Sequence, residues 1–217
     1  MANMLEIVFV VDRSGSMYGT ENDIIGGFNS MIREQRENEQ DAYVSTVLFS
    51  DTCEVLYDRV KLHEIKSMTT EDYKTGGCTA LLDALGDAIK HIKNAHKYAR
   101  KEDVPAKTLF IVMTDGEENA SHKYNNKQIK KMVQEQQEEF RWEFIFVGAD
   151  IDAFASAESI GVKASRAVRF SKDSDQFEDC FQAVGNVMAC MAKAAPDEIV
   201  SDDAFCDIFK IFNKDKS

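Results

Sequence analysis

The chain has 217 residues, of which 44% are hydrophobic and 29% are charged, and its formal net charge is −12. These values are typical of a folded globular protein, and the length predicts one domain with at most a small addition. The negative charge argues against nucleic-acid binding, because it repels phosphate backbones. Apolar runs such as residues 7–11 and 109–113 fall far short of the roughly 20 residues that cross a membrane, so no membrane contact is expected.

Short apolar runs alternate with amphipathic segments along the whole chain. Strands are predicted at residues 5–11, 43–49, 54–60, 107–114, 143–147 and 167–170. Helices, in which apolar side chains recur every three or four residues, are predicted at residues 23–39, 79–97, 126–140, 152–159 and 175–193. Residues 7–11 and 109–113 are apolar on both faces, which is typical of buried parallel strands.

This alternation predicts an α/β fold with a doubly wound, Rossmann-like sheet. The sheet is expected to have six strands, mostly parallel, with helices on both faces. The link at residues 50–53 is so short that it favours a hairpin, which would make residues 54–60 an antiparallel edge strand. We assign residues 1–195 to this domain.

Residues 196–217 are predicted to form a separate helical tail. Ser201 is a candidate N-cap, and Phe205, Ile208, Phe209 and Phe212 follow a helical spacing that creates one apolar stripe. Two interpretations stay open for this stripe. It either docks on the body of the same chain or inserts into a groove of a partner.

Five cysteines are present: Cys53, Cys78, Cys180, Cys190 and Cys206. Their odd number and the lack of CxxC spacing argue against a disulfide framework and against a structural zinc site. The first residues also lack the charged-then-apolar pattern of a leader. A cytoplasmic location is therefore expected.

Oxygen-bearing side chains follow three separate segments of the predicted sheet. Asp12, Ser14 and Ser16 follow the first strand, Thr79 follows a Gly-Gly pair, and Asp115 follows the strand at 107–114. In an open α/β sheet such strand ends meet at one crevice, and oxygen ligands suit a hard cation such as Mg²⁺. Taken singly, each segment is also compatible with a helix cap or a turn.

The three segments Asp12-x-Ser14-x-Ser16, Gly-Gly-x-Thr79-Ala-Leu and Thr-Asp115-Gly resemble the metal-ion-dependent adhesion site of von Willebrand factor A domains. The resemblance extends over residues 4–193 and is greatest to the intracellular bacterial and phage type. It implies that Asp12, Ser14, Ser16, Thr79 and Asp115 hold Mg²⁺, with Mn²⁺ and Ca²⁺ as alternatives. It further implies a non-enzymatic interaction module whose protein partner supplies an Asp or Glu to the metal.

Several neighbours of these five residues have open roles. Arg13 lies inside the first motif and is expected at the rim, where it would steer an acidic partner. Residues 117–119 either bias the site toward a cation or form a solvated acidic loop. Asp83 is one helical turn after Thr79, either on the helix surface or behind the metal ligands.

Two other functions compete with the adhesion hypothesis. The first is a Mg²⁺-dependent phosphatase or hydrolase in which Asp12 is the nucleophile, but such chemistry needs a second carboxylate, and Ser14 stands where related phosphatases have one. The second is a domain of the same family that has lost its metal, which a substitution at one of the five positions would indicate. No such substitution is present.

Overall fold

The computed structural model describes residues 4–115, 117–149, 153–170, 174–195, 198 and 200–213. The strands are β1 (Leu5–Asp12), β2 (Ala42–Phe49), β3 (Cys53–Lys61), β4 (Lys107–Thr114), β5 (Glu143–Gly148) and β6 (Ala167–Arg169). The α-helices are α1 (Glu21–Glu37), α2 (Leu81–Tyr98), α3 (Asn126–Phe140), α4 (Ala153–Ser159), α5 (Ser174–Lys193) and α6 (Asp202–Asn213). Every predicted element is present, with ends that differ by at most two residues. Position 152 of a predicted helix and positions 196, 197, 199 and 214–217 of the predicted tail lie outside the described residues.

The six strands form one sheet in the order β3-β2-β1-β4-β5-β6. All neighbouring strands are parallel except β2 and β3, which confirms the predicted doubly wound sheet with one antiparallel edge strand. The chain builds outward from β1 to β3 and then crosses back to place β4 on the other side of β1. The point where the winding reverses therefore lies between the carboxyl ends of β1 and β4, where open sheets place their ligands.

Helices cover both faces of the sheet, as predicted. Side chains of β1 alternate between two cores: Phe9 packs with Phe28 of α1 and Phe181 of α5, whereas Val10 packs on the opposite face with α2 and α3. This alternation follows from the two-residue period of a strand. Among the described residues, no helix is long and apolar enough to span a membrane.

The C-terminal helix α6 packs on the body of the domain. Phe205 and Phe209 are 0% and 2% exposed and belong to the same core as α1 and α5. The Ser201 hydroxyl accepts a hydrogen bond from the backbone N–H of Ala204 at 3.2 Å, which confirms the predicted N-cap. Of the two interpretations of the apolar stripe, the structure favours docking on the same chain. The side chain of Phe212 lies outside the described residues, and the domain boundary after residue 195 stays a prediction.

Candidate metal centre

Asp12 is the last residue of β1, and its carboxylate is buried at the carboxyl edge of the sheet. The backbone N–H of Ser14 donates to Asp12 Oδ1 at 2.7 Å, and the Thr114 hydroxyl donates to Asp12 Oδ2 at 2.6 Å. The Tyr73 hydroxyl donates to the backbone carbonyl of Asp12 at 2.5 Å. Both the main chain and the carboxylate of Asp12 are therefore held in place before any ligand binds, which lowers the ordering cost of binding.

Ser14, Ser16 and Asp115 complete a hydrogen-bonded chain that begins at Asp12. Ser14 and Ser16 flank Gly15 in the short turn after β1, and their hydroxyl oxygens lie 2.9 Å apart. The Ser16 hydroxyl donates to Asp115 Oδ1 at 2.6 Å, although 99 residues separate the two in sequence. The structure thus brings together four of the five predicted site residues.

The loop that contains the Gly-Gly pair lies directly against the turn after β1. The backbone N–H of Gly15 donates to the Gly77 carbonyl at 3.0 Å, and that of Gly76 donates to the Arg13 carbonyl at 2.8 Å. Gly77 has a φ of +82°, and a Cβ atom there would lie 2.0 Å from Asp51 Oδ1. The close approach of these two loops therefore requires glycine at position 77.

Thr79 is held beside this cluster by its backbone rather than by its side chain. Its N–H donates to Asn119 Oδ1 at 3.0 Å, and its carbonyl accepts from the N–H groups of Asn119 and Ala120. Although Thr79 is buried, its hydroxyl forms no hydrogen bond with the other four site residues, all of which the structure describes.

The start of α2 differs from the prediction, and the difference involves Thr79. The helix begins at Leu81 rather than at 79, and Ala80 is its N-cap residue. The backbone N–H of Ala80 donates to the Ser50 carbonyl at 2.8 Å, at the end of β2. Because Asn119 and Ser50 bind the backbone of this segment, residues 79 and 80 are drawn out of the helix. The interpretation of Thr79 as a helix cap is therefore wrong.

The loop between β4 and α3 supplies the cap of α2. Glu118 accepts from the backbone N–H of Leu82 at 2.9 Å, and the Ser121 hydroxyl accepts from the N–H of Asp83 at 3.1 Å. In return, the Asp83 carboxylate accepts from the backbone N–H groups of residues 122–124. Glu118 and Asp83 therefore join the β4–α3 loop to α2. Both carboxylates accept backbone hydrogen bonds and are not simply solvated surface charges.

Arg13 lies at the rim, and its guanidinium forms an ion pair with Glu54 at 2.7 Å. This contact offsets much of the charge that was expected to steer an acidic partner. Glu117 is exposed, in keeping with the solvated acidic loop. Gly116, the glycine of the third motif, lies outside the described residues.

Two negative charges dominate the electrostatics of the cluster. Burial raises the pKa of Asp12 above its ordinary value, hydrogen bonds from Thr114 and Ser14 oppose that rise, and the charge of Asp115 adds to it. Burial, followed by the charges of Asp12 and Asp115, also raises the pKa of Tyr73, which keeps its hydroxyl protonated as a donor. A cation placed between the two aspartates would relieve their repulsion.

The donor set at this edge comprises two carboxylates and three hydroxyls, all of them hard oxygen ligands. Such a set fits Mg²⁺ or Mn²⁺ better than zinc or copper, which favour imidazole and thiolate. No cluster of three or more His, Cys, Asp or Glu side chains suited to a metal occurs in the described part of the chain. A cation bound here would therefore depend on the hydroxyls as much as on the carboxylates.

Sequence reasoning missed three residues that organise the site. Thr114 could have been recognised from the sequence, because it precedes Asp115 in the third motif. No role was assigned to its side chain. Tyr73 lies in an irregular segment and shows no pattern that links it to Asp12. Glu118 was recognised only as an acidic neighbour, and its role as a cap of α2 depends on a contact across 36 residues.

A doubly wound sheet with polar residues at the switch point between β1 and β4 defines a class of α/β domains. Within that class, the profile of the von Willebrand factor type A domain matches residues 6–183. The chain belongs to this family, whose members are generally protein-interaction modules and typically have no enzymatic activity.

Individual relatives are distant. Over 126 residues the chain is 29% identical to the human collagen alpha-6(VI) chain and 28% identical to the mouse one; these matches cover 56% of this chain and 6% of each relative. The PilB minor pilin from Streptococcus sanguinis superposes with a TM-score of 0.62 at 12% identity, over 85% of this chain and 61% of the pilin. A von Willebrand factor type A protein from Catenulispora acidiphila superposes with a TM-score of 0.54 at 13% identity. This match covers 85% of this chain and 42% of that protein. These structural similarities show the fold alone.

Proposed function

We propose that this chain is a non-enzymatic, divalent-cation-dependent protein-interaction module. In this proposal Asp12, Ser14, Ser16, Thr79 and Asp115 hold Mg²⁺, with Mn²⁺ and Ca²⁺ as alternatives. The observation that carries the proposal is the hydrogen-bonded chain from Asp12 through Ser14 and Ser16 to Asp115, with the buried Thr79 hydroxyl beside it.

The donor set also suggests how a partner would bind. Three of the five donors are neutral hydroxyls, so two carboxylates and a divalent cation leave no surplus negative charge at the site. Mg²⁺ keeps several waters when it binds to proteins, and a carboxylate from outside can replace one of them. We therefore propose that the partner is a protein that presents an Asp or Glu to the metal.

We further propose that the chain is of the intracellular bacterial or phage type and acts in the cytoplasm. In support, none of the four cysteines with described side chains forms a disulfide, and two of them, Cys53 and Cys78, are exposed. Exposed free thiols persist most readily in a reducing compartment.

The alternative is a phosphatase or hydrolase with Asp12 as its nucleophile. Both carboxylate oxygens of Asp12 accept hydrogen bonds, and the residue is 0% exposed. A nucleophile must reach its substrate, and its partner acid would have to stand near it, where this chain has Ser14. These contacts hold Asp12 in place and argue against direct attack of its carboxylate on a substrate.

Calorimetric titration of the full chain with Mg²⁺ and Mn²⁺ tests the proposal. Asp115→Asn removes one negative charge from the proposed ligand set, and Glu117→Gln removes one from an exposed position two residues away. Loss of a residue behind a metal ligand already costs about 10- to 100-fold in affinity, so loss of a ligand should cost at least about tenfold. Glu117→Gln should bind metal like the unaltered chain.

Ser16→Ala supplies a second test, because Ser16 is exposed and its hydroxyl is one of the proposed metal ligands. The proposal predicts weaker Mn²⁺ binding in this variant. Equal metal affinities in the unaltered chain, Asp115→Asn and Ser16→Ala would reject the site. Turnover of p-nitrophenyl phosphate that disappears in Asp12→Asn would favour the enzyme instead.

A further inference from the structure

A second concave site lies at the opposite edge of the sheet from the metal centre. Here the last turns of α2, the start of β4 and the end of α3 enclose a cavity of about 390 Å³, which we call the amino-edge cleft. Its lining includes Lys93, His96, Lys97, Gln136, Phe140 and Trp142. Because β4 is eight residues long, roughly 25 Å separates this cleft from Asp115. Its volume falls within the range of small-molecule sites.

Aromatic rings form the walls of the amino-edge cleft. Trp142 stacks on Phe110 with ring centroids 5.4 Å apart, and His96 meets Trp142 edge to face at 5.5 Å. Phe140, at 51% exposure, lies at the mouth with its centroid 6.4 Å from that of Trp142. Rings held in this way present flat, rigid surfaces, which favour a flat aromatic ligand.

The mouth of the cleft is positively charged although the whole chain carries −12. Lys93 lies over the Phe140 ring at 5.8 Å, and Lys97 lies one helical turn further along α2. Within the described residues, no carboxylate lies in salt-bridge range of either lysine, whereas His96 is already paired with the buried Glu6 at 3.2 Å. Two lysines without acidic partners at an aromatic cavity favour an anionic ligand.

Gln136 provides an independent indication that the cleft accommodates a hydrogen-bond donor. Its side chain lines the cleft, the residue is 1% exposed, and its Oε1 has no hydrogen-bond partner within the described structure. Its Nε2 donates to the Met132 carbonyl at 3.4 Å, which leaves the oxygen as the unsatisfied atom. A buried acceptor without a donor is unfavourable, and a ligand N–H or O–H in the cleft would satisfy it.

From these observations we propose that the amino-edge cleft binds a small organic anion that carries a flat aromatic ring and an N–H or O–H donor. The ring packs against Phe140 at the mouth, close to Trp142, the anionic group faces Lys93 and Lys97, and the donor reaches Gln136. The cleft shares no residue with the metal centre. This inference can therefore be tested independently of the proposed function.

Trp142 is the single tryptophan of the chain, and its fluorescence therefore reports on this cleft. The probe is 1-anilinonaphthalene-8-sulfonate, which has aromatic rings, one negative charge and one N–H donor. Titration into the full chain should quench Trp142 and excite the probe by energy transfer, with saturation at one probe per chain. Absence of saturable quenching would overturn the proposal.

Matched variants separate the proposed site from general apolar adsorption. Lys93→Gln with Lys97→Gln should weaken probe binding by roughly two- to fivefold for each lysine. Lys90→Gln with Lys101→Gln removes the same charge outside the lining and should leave the affinity unchanged. The uncharged analogue N-phenyl-1-naphthylamine should bind both double variants and the unaltered chain equally. If both double variants lose the same affinity for the sulfonate, or if the uncharged probe is affected equally, the proposal is wrong.

Gln136→Met tests the hydrogen bond in the same assay. Methionine has a similar volume but no amide, so the variant should bind the sulfonate more weakly. The unliganded variant should resist urea at least as well as the unaltered chain, because it no longer buries an unsatisfied oxygen. Unchanged probe affinity in a folded Gln136→Met would contradict the assignment of this residue.

Discussion

Replacement of Phe205 by alanine tests whether α6 is an integral part of the domain. Phe205 is 0% exposed, and the Arg166 guanidinium lies over its ring at 3.6 Å from the centroid. Arg166 is itself held by Glu143 at 3.1 Å and by Asp202 at 2.7 Å. Removal of a buried Phe costs about 3–5 kcal/mol, and we expect the upper half of that range because the cation–ring contact is lost as well.

Urea unfolding, followed by far-UV circular dichroism and by the fluorescence of Trp142, measures this loss. Tyr98→Ala is the matched control, because Tyr98 is an aromatic residue at 78% exposure on the surface of α2. Its replacement should change the free energy of unfolding by no more than about 0.5 kcal/mol. If Phe205→Ala were as stable as Tyr98→Ala, α6 would not be docked, and a groove on a partner would become the better account of its apolar stripe.

Three further predictions concern the loops around the metal centre and the core. Gly77→Ala should destabilise the chain by about 1–2 kcal/mol in urea unfolding, because the φ of +82° disfavours alanine and the new Cβ would clash with Asp51; a smaller change would mean that the loops relax freely. Glu118→Ala should cost about 2 kcal/mol, because four hydrogen bonds to that carboxylate disappear, and a cost below about 0.5 kcal/mol would contradict its capping role. Burial raises the pKa of the Cys180 thiol to about 12, so at pH 8 to 9 a thiol reagent should label the exposed Cys78 at once and Cys180 only after unfolding; rapid labelling of native Cys180 would contradict its burial.

Much of the fold follows from local pattern. The apolar runs of β1 and β4 identify the buried centre of the sheet, and the tight link at residues 50–53 identifies β3 as an antiparallel edge. Once these strands are placed, the rules for open α/β sheets put residues 12 and 115 at one crevice. The neighbourhood of four site residues could therefore be predicted before any contact was known.

The rest of the site depends on contacts that no local pattern encodes. Helix α2 begins two residues later than predicted, because Asn119 and Ser50 bind the backbone at positions 79 and 80. Both residues are distant from this segment in sequence. Tyr73 holds Asp12 from an irregular segment 61 residues away. In each case a hydrogen bond between loops overrides local helix or loop preference, and only the assembled sheet brings those loops together.

Paramagnetic broadening by Mn²⁺ in NMR spectra of the full chain tests the central claim most directly. The metal-centre account predicts that substoichiometric Mn²⁺ broadens the backbone amide signals of Gly15, Gly77 and Asn119, and that excess Mg²⁺ restores them. The indole signal of Trp142, at the opposite edge of the sheet, should stay sharp throughout. Broadening that spares these three amides, or that affects Trp142 equally, would contradict a metal centre at Asp12.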